Sequence, residues 1–244
     1  MIQVVERTFD LLEMLAREKV PMGNSEIAAR LGIRLQTANN LLRTLYNRGY
    51  VTQDESRKYH LGAQCFYLGS SADRWKSFRK WIAEPLRQLV RESGFGGFAG
   101  VLDHDRLLCV AMLSPGGTEL VHPMQEWWSE LHSNACGRVL LAALPPPERA
   151  PVFARTVRRK YTGKTAVGAE ALERICKKTA RDGYSEAAEE SRAGMSSLAM
   201  PLHDLGGTVF AALAIFGTNK EWKRVPLGDK LEHLRNAVNR AEGR

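Results

Sequence analysis

The sequence predicts an α+β fold in two domains: a small helical domain with a short hairpin, then a larger domain built on a largely antiparallel sheet. Three observations predict it. Up to Gly62 the chain holds three helical segments, punctuated by Pro21-Met22-Gly23, Gly32 and Gly49, followed by two short β-prone runs. Beyond Pro85, hairpin patterns alternate with helical ones, as expected of helices packed on an antiparallel sheet. The length, 244 residues, suits one large domain or two modest ones at about 100–200 residues each.

Taken in order, Val5, Phe9, Leu12 and Ala16 recur at helical spacing and predict an amphipathic first helix over residues 4–16. Asn24 or Ser25 is placed to cap a second helix, with Ile27, Ala28 and Leu31 inward and Gly32 closing it. A third helix runs from Leu35 to Arg48 and stops at Gly49; Ala38, Leu41, Leu42 and Leu45 form its buried stripe. Tyr50–Gln53 and Tyr59–Gly62 flank the polar turn Asp54–Lys58 and read as a hairpin. Three helices followed by a hairpin with a basic tip make a winged helix-turn-helix. A connecting helix is expected from Cys65 to Trp81, with Leu68, Trp75, Phe78 and Trp81 apolar and Arg74, Lys76, Arg79 and Lys80 basic. So much aromatic surface is expected to pack on a partner chain, the alternative being the chain's own second domain. After it come a short helix carrying Leu86, Leu89 and Val90 and a hairpin of Phe98–Leu102 with Leu107–Leu113. Ala135–Leu144 reads as an apolar helix ended by three prolines, and Leu172, Ile175, Cys176 and Thr179 mark another, stopped by Gly183. Strands Ser197–Leu202 and Val209–Phe216 follow. A final helix over Glu221–Arg244 has Leu227, Leu231, Leu234 and Val238 inward.

Composition narrows the function. The chain is 44% hydrophobic, enough for a core, with 35 Lys+Arg against 27 Asp+Glu, a formal charge of +8. No run approaches the roughly 18 apolar residues of a membrane span, and the start carries Glu6 and Asp10 rather than a signal peptide's cationic and apolar segments, so a cytoplasmic protein is expected. Cys65, Cys109, Cys136 and Cys176 are scattered, with no Cys/His spacing of a zinc site or disulfide framework; no metal or cofactor is expected. Residues 1–70 hold nine Lys/Arg against seven Asp/Glu, so an anionic partner must be met by a shaped surface rather than a polybasic tail.

The third helix supplies such a surface. Gln36, Asn40, Arg43 and Asn47 follow i, i+4, i+7, i+11 and face away from the apolar stripe. The outward strip carries amides and a guanidinium and no carboxylate. Those groups match base edges in a major groove, Arg to guanine and Asn or Gln to adenine, whereas a plain solvated face more often carries Glu and Lys. Arg57 and Lys58 at the hairpin tip are placed for the DNA backbone.

Enzyme-like fragments lack their contexts, and no catalytic residue is assigned. Ser77-Phe78-Arg79-Lys80 fits an S-x-x-K pattern with neither of its downstream partners. Gly94-x-Gly96-x-x-Ala99 follows a helix and precedes a strand, the reverse of a dinucleotide fingerprint. Gly163-Lys164-Thr165 has Arg158 where a phosphate loop needs glycine. Cys136 near His132 could pair as nucleophile and base, but a thiol opening an apolar helix reads as packed and inert. Trp127 and Trp128 are placed either to close over a ligand or to anchor their loop. Glu189 and Glu190 are either a ligand's polar partner or carboxylates near a helix start.

Taken together, these residues resemble the IclR-type bacterial transcription regulators. The resemblance rests first on Ser25-Glu26-Ile27-Ala28, Gly32, Thr37, Leu41-Leu42, Thr44-Leu45, Gly49 and Tyr59-x-Leu61-Gly62. It rests further on Leu131-His132-Ser133-Asn134-Ala135-Cys136-Gly137-Arg138-Val139-Leu140-Leu141-Ala142, and on Gly183-Tyr184, Glu189-Glu190, Gly194 and Ser197–Pro201. It spans roughly residues 3–240. It implies a winged helix-turn-helix domain over 1–66, a linker helix over 67–82 and a GAF-like effector domain over 83–244, in a non-enzymatic regulator that is a homodimer or homotetramer. The partners implied are a double-stranded, (pseudo)palindromic operator and a small metabolite, a carboxylate or an aromatic compound. Carried over by position, DNA contact falls on Arg34, Gln36, Thr37, Asn39, Asn40 and Arg43 with Arg57 and Lys58. The effector pocket falls on Ser133, Asn134, Ala135, Cys136, Glu189 and Ser197, over a floor of Ala212, Ala214 and Phe216. Two departures stand out. Arg34-Leu35-Gln36-Thr37 replaces the family's Pro-Lys-Ser-Thr, and Asn40 replaces the Arg that soon follows. The last strand reads Ala-Leu-Ala-Ile-Phe where relatives carry pocket serines, which implies a more apolar pocket. The competing reading is an enzyme or sensor whose first domain contacts proteins.

Overall fold

The computed structural model describes residues 2–18, 20–71, 73–120 and 130–244. The chain divides into two compact units, residues 1–74 and 75–244.

In the first unit, α1 (Gln3–Glu18), α2 (Asn24–Arg30) and α3 (Leu35–Asn47) enclose Leu11, Met14, Leu15, Ile27, Leu41, Leu42 and Leu45. The buried stripe of α1 differs from the expected one. Leu11, Met14 and Leu15 face inward, while Val5 (45% exposed) and Phe9 (58% exposed) remain outside. All the buried positions lie in the second half of the helix, so its first turns project past the small core. The wing is β1 (Val51–Gln53) paired antiparallel with β2 (Tyr59–Leu61), Thr52 opposite His60. Met22 adds a short third strand, exchanging backbone hydrogen bonds with Tyr59 at 3.0 and 2.8 Å. The breaker between the first two helices thus fastens the wing to the helical core. Two helices, rather than the single expected one, follow: α4 (Ala63–Ser70) and α5 (Asp73–Ser93). Gly69 weakens the end of α4, and the Ser70 and Ser71 hydroxyls both donate to the Tyr67 carbonyl, at 2.8 and 3.0 Å, in competition with a further helical turn.

The second unit, which begins within α5, is a five-stranded antiparallel sheet between two helical layers. Its strands are β3 (Gly96–Asp103), β4 (Arg106–Leu113), β5 (Ser185–Ala188), β6 (Met195–His203) and β7 (Val209–Thr218), in the order β4-β3-β7-β6-β5. Alternation along β7 sends Ala211, Leu213 and Ile215 to one face and Ala212, Ala214 and Phe216 to the other. The first face is covered by α5 and by α10 (Leu227–Glu242), the second by α6 (Ala135–Ala143) and α8 (Ala169–Asp182). Helix α5 runs through Pro85, contrary to the expected break. A mid-helix proline costs about 3 kcal/mol, but Ile82, Leu86, Leu89 and Val90 are all buried against the sheet, each worth about 1.5–3 kcal/mol. The glycine-rich stretch explains how these layers approach. A Cβ on Gly97 would sit 2.8 Å from Leu86 Cδ1, and one on Gly96 would sit 2.4 Å from the Phe216 ring. Bare strand backbone therefore lets α5 close on one face and an aromatic ring on the other.

Further differences share one cause, local chemistry that resets the chain. The three prolines that end α6 also start α7 (Pro146–Arg155), because a proline is tolerated in a helix's first turn, where its missing N–H has no partner to lose. The expected C-terminal helix is two, α9 (Asn219–Trp222) and α10, separated ahead of Pro226. Leu234 and Val238 are buried as expected, with Leu231 packed beside them. Leu227 is 38% exposed, and Lys230 is buried instead with its Nζ over the Trp222 ring, 4.2 Å from the centroid. On the connecting segment, Trp75 and Phe78 pack against the unit's own sheet, the alternative weighed above, and Trp81 stays 39% exposed. Trp127 and Trp128 lie outside the described residues.

Candidate nucleic-acid and effector sites

The first site is the outer face of α3. Burial of Ala38, Leu41, Leu42 and Leu45 fixes the helix's rotation, so Gln36, Asn40, Arg43 and Asn47 are all exposed. None of these four side chains is committed to an intrachain hydrogen bond or ion pair among the described residues. Arg34 stands exposed at the N-cap position, where the unsatisfied N–H groups of the first turn favour an anion. Thr37 is half-buried. Asn39 is half-buried too, on the flank of the strip, and its Oδ1 accepts a hydrogen bond from Asn24 Nδ2 at 2.8 Å. Asn24 therefore caps nothing, and α2 begins after Gly23 with no side-chain cap.

The wing tip is held stiffly. Asp54 Oδ1 accepts from the Lys58 N–H at 2.9 Å and the Ser56 hydroxyl at 2.7 Å. The Lys58 N–H and then the Ser56 hydroxyl hold its carboxyl below the ordinary carboxylate value. Arg57 sits at φ 60, and Gln53 Nε2 donates to its carbonyl at 2.9 Å. These bonds order the turn backbone and leave Arg57 and Lys58 exposed. Amides, one guanidinium and a helix N-terminus on one element, with a cationic tip on another, form the donor set that phosphates and base edges accept.

The second site is the start of α6 on the Ala212–Phe216 face of the sheet. Asn134 caps the helix, its Oδ1 accepting from Gly137 N–H at 2.9 Å. Ser197 on β6 reaches over from the sheet, its Oγ accepting from Ala135 N–H at 3.2 Å. Cys136 is fully buried and its thiol donates to the Ala212 carbonyl at 3.7 Å; burial pushes the thiol well above its ordinary value. His132 has its Nε2 2.9 Å from the Arg159 carbonyl and its pKa lowered chiefly by burial, and among the described residues no hydrogen bond joins it to that thiol. The Ser133 hydroxyl is fully buried and has no hydrogen-bond partner among the described residues. The structure thus gathers Ser133, Asn134, Ala135, Cys136, Ser197, Ala212, Ala214 and Phe216. Glu189 is engaged elsewhere: it pairs with Lys164 and accepts from Gly194 N–H at 3.1 Å.

Sequence reasoning missed the pair that holds this site. Arg138, 2% exposed, donates from Nε to the His132 carbonyl at 2.9 Å and from Nη1 to the Glu186 carbonyl at 3.2 Å and Glu190 Oε1 at 2.8 Å. Its Nη2 closes a bidentate pair on Glu190 Oε2. The available signal was an arginine among Cys136, Val139 and Leu140, since a charge in an apolar segment needs a buried partner.

Comparison with known proteins matches both parts of the chain to one family. Residues 4–55 match the family described as "IclR helix-turn-helix domain", and residues 77–241 match "Bacterial transcriptional regulator IclR C-terminal". The glycerol operon regulatory protein of Streptomyces coelicolor is 32% identical over 218 residues, covering 88% of this chain and 85% of that one. The transcriptional repressor IclR of Escherichia coli is 29% identical over 228 residues, covering 88% and 80%. Among solved structures, an IclR homolog from Microbacterium hydrocarbonoxydans complexed with 4-hydroxybenzoate superposes with a TM-score of 0.80 at 21% identity, covering 98% of each chain. The Thermotoga maritima IclR gives 0.71 at 20% identity, covering 100% of this chain and 97% of that one.

Proposed function

The chain belongs to the IclR family of bacterial transcriptional regulators, DNA-binding proteins with a C-terminal effector domain and not enzymes, and from that premise we propose which of its surfaces do the work. The α3 strip enters the major groove, with Gln36, Asn40 and Arg43 at base edges. Arg34, Thr37, Arg57 and Lys58 meet phosphates. The observation that carries this reading is the strip itself: four exposed side chains that can donate to bases, with no carboxylate among them and, among the described residues, no intrachain bonds of their own. A palindromic operator requires two such strips, so the working form is a homodimer or a pair of dimers, its reading helices about 34–36 Å apart on adjacent half-sites. A regulator of this kind works where the chromosome lies, in the cytoplasm.

The effector is a small carboxylate on a planar or apolar body. Its carboxylate meets the buried Ser133 hydroxyl, which has no hydrogen-bond partner among the described residues, and its body meets the alanine floor and Phe216. The ligand in the Microbacterium relative, 4-hydroxybenzoate, has this chemistry. Binding alters DNA affinity only through a difference in affinity between two arrangements of the protein.

The test is a binding titration on an operator obtained by selection from random DNA. Asn40→Ala is expected to cost about 1–3 kcal/mol on the selected site, while Lys58→Ala weakens selected and random DNA alike and lowers the salt slope by about 1. Asn40→Ala leaving the site preference untouched overturns the assignment.

A further inference from the structure

We infer that Asn24 and Asn39 form a specificity device, in which the α2 amide sets which face of the α3 amide the DNA meets; this rests on the α3 reading above and extends it to Asn39 on the flank of the strip. Asn24 is the first helical residue of α2, one past the Gly23 N-cap, where its side chain does not cap the helix. It reaches across the helix-turn-helix instead and donates to Asn39 Oδ1 at 2.8 Å.

The consequence follows from amide geometry. The oxygen and nitrogen of a carboxamide diverge by about 120° from one carbon, so fixing Oδ1 toward α2 turns Nδ2 away from it. A bidentate contact to adenine needs both atoms, the nitrogen on N7 and the oxygen on N6. Asn39 loses the bidentate contact and offers donors alone, which suit the paired acceptors of guanine, O6 and N7, or thymine O4, better than adenine, whose one acceptor N7 stands beside the N6 donor. Its neighbour Asn40 is exposed, its side chain uncommitted among the described residues, and retains both amide atoms for adenine. Adjacent asparagines thereby read different bases. Asn24 acts as a positioning residue and touches no base itself.

The experiment is selection from random DNA with the full chain and with Asn24→Ala, Asn24→Asp and Asn39→Ala, each checked for an unchanged melting temperature. Wild type is expected to enrich guanine or thymine over adenine roughly fivefold at one position, a preference that Asn39→Ala abolishes there and nowhere else. Asn24→Ala frees the amide to turn, and adenine becomes accepted at that position while the others hold. Asn24→Asp can only accept, so it draws Asn39 Nδ2 inward, turns Oδ1 outward and shifts the position toward cytosine or adenine. A uniform loss of affinity in the Asn24 variants, with the base profile unchanged, shows a structural bond only and overturns the inference. Wild-type protein that enriches no sequence overturns the underlying DNA-reading assignment instead. If Asn24→Ala does not fold, Asn24→Asp, which retains a hydrogen bond across the pair, carries the decision.

Discussion

Replacing Arg138 by methionine tests whether the α6 start is held by its buried ion pair. The arginine side chain is 3% exposed and that of Glu190 14%. Substitution leaves a mostly buried carboxylate without its cation and strips the donors from the His132 and Glu186 carbonyls. Only the Ala166 N–H, 3.2 Å from Oε2, remains on the carboxylate among the described residues. Breaking a buried pair on one side costs about 3–5 kcal/mol, whereas removing both charges costs far less, since desolvation then disappears with the attraction. Arg138→Met/Glu190→Gln, which keeps an acceptor for Ala166, is therefore expected to recover about half the loss. All five tryptophans follow residue 74, so their fluorescence reports the second unit alone and sidesteps the mixing of two unfolding transitions. With a urea slope of about 2 kcal/mol per molar, the single variant's midpoint falls by roughly 1.5–2.5 M. A single variant within about 0.5 M of wild type, or a double variant no better than the single, refutes the reasoning.

Two further predictions concern the same site. Burial foremost, then the positive charges of Arg138 and Arg158, lower the pKa of His132. The unfolded chain therefore takes up a proton near pH 6.5 that the folded chain refuses; this contribution is complete above that pH and is lost as pH falls toward the folded value. His132→Gln, which keeps a donor for the Arg159 carbonyl, is expected to lose less melting temperature than wild type between pH 7.5 and 5.5; coincident profiles count against it. A small aromatic carboxylate at a hundred times its Kd should stabilise the second unit by about 2.7 kcal/mol in the same fluorescence melt. Ser133→Ala should weaken that ligand several-fold while leaving the unliganded melt nearly unchanged, and equal affinity in both proteins removes Ser133 from the pocket.

What the sequence disclosed, and what it did not, divides by the range of the interactions. The helices of the first unit and the hairpin strands of the second are set by periodicity and by Gly or Asx turns, all local, and they were legible to within a few residues. The four-residue strand β5, Ser-Glu-Ala-Ala, has almost no intrinsic strand character and exists because Ala187 pairs with Ser197 on β6. The face of α1 was ambiguous because two stripes compete on one helix, and only the position of the small core chooses Leu11, Met14 and Leu15. The strip on α3 escaped this ambiguity, since its buried stripe has no apolar rival. In the second site, Glu189 and Glu190 are indistinguishable as residues, and either could answer a buried arginine. The backbone separates them. Glu189 occupies φ 59, a left-handed turn whose carboxylate goes out to Lys164 while its neighbour's goes in to Arg138. Arg138 shows that a buried partner must exist, but which glutamate answers is decided by a turn whose conformation no residue type in the segment announces.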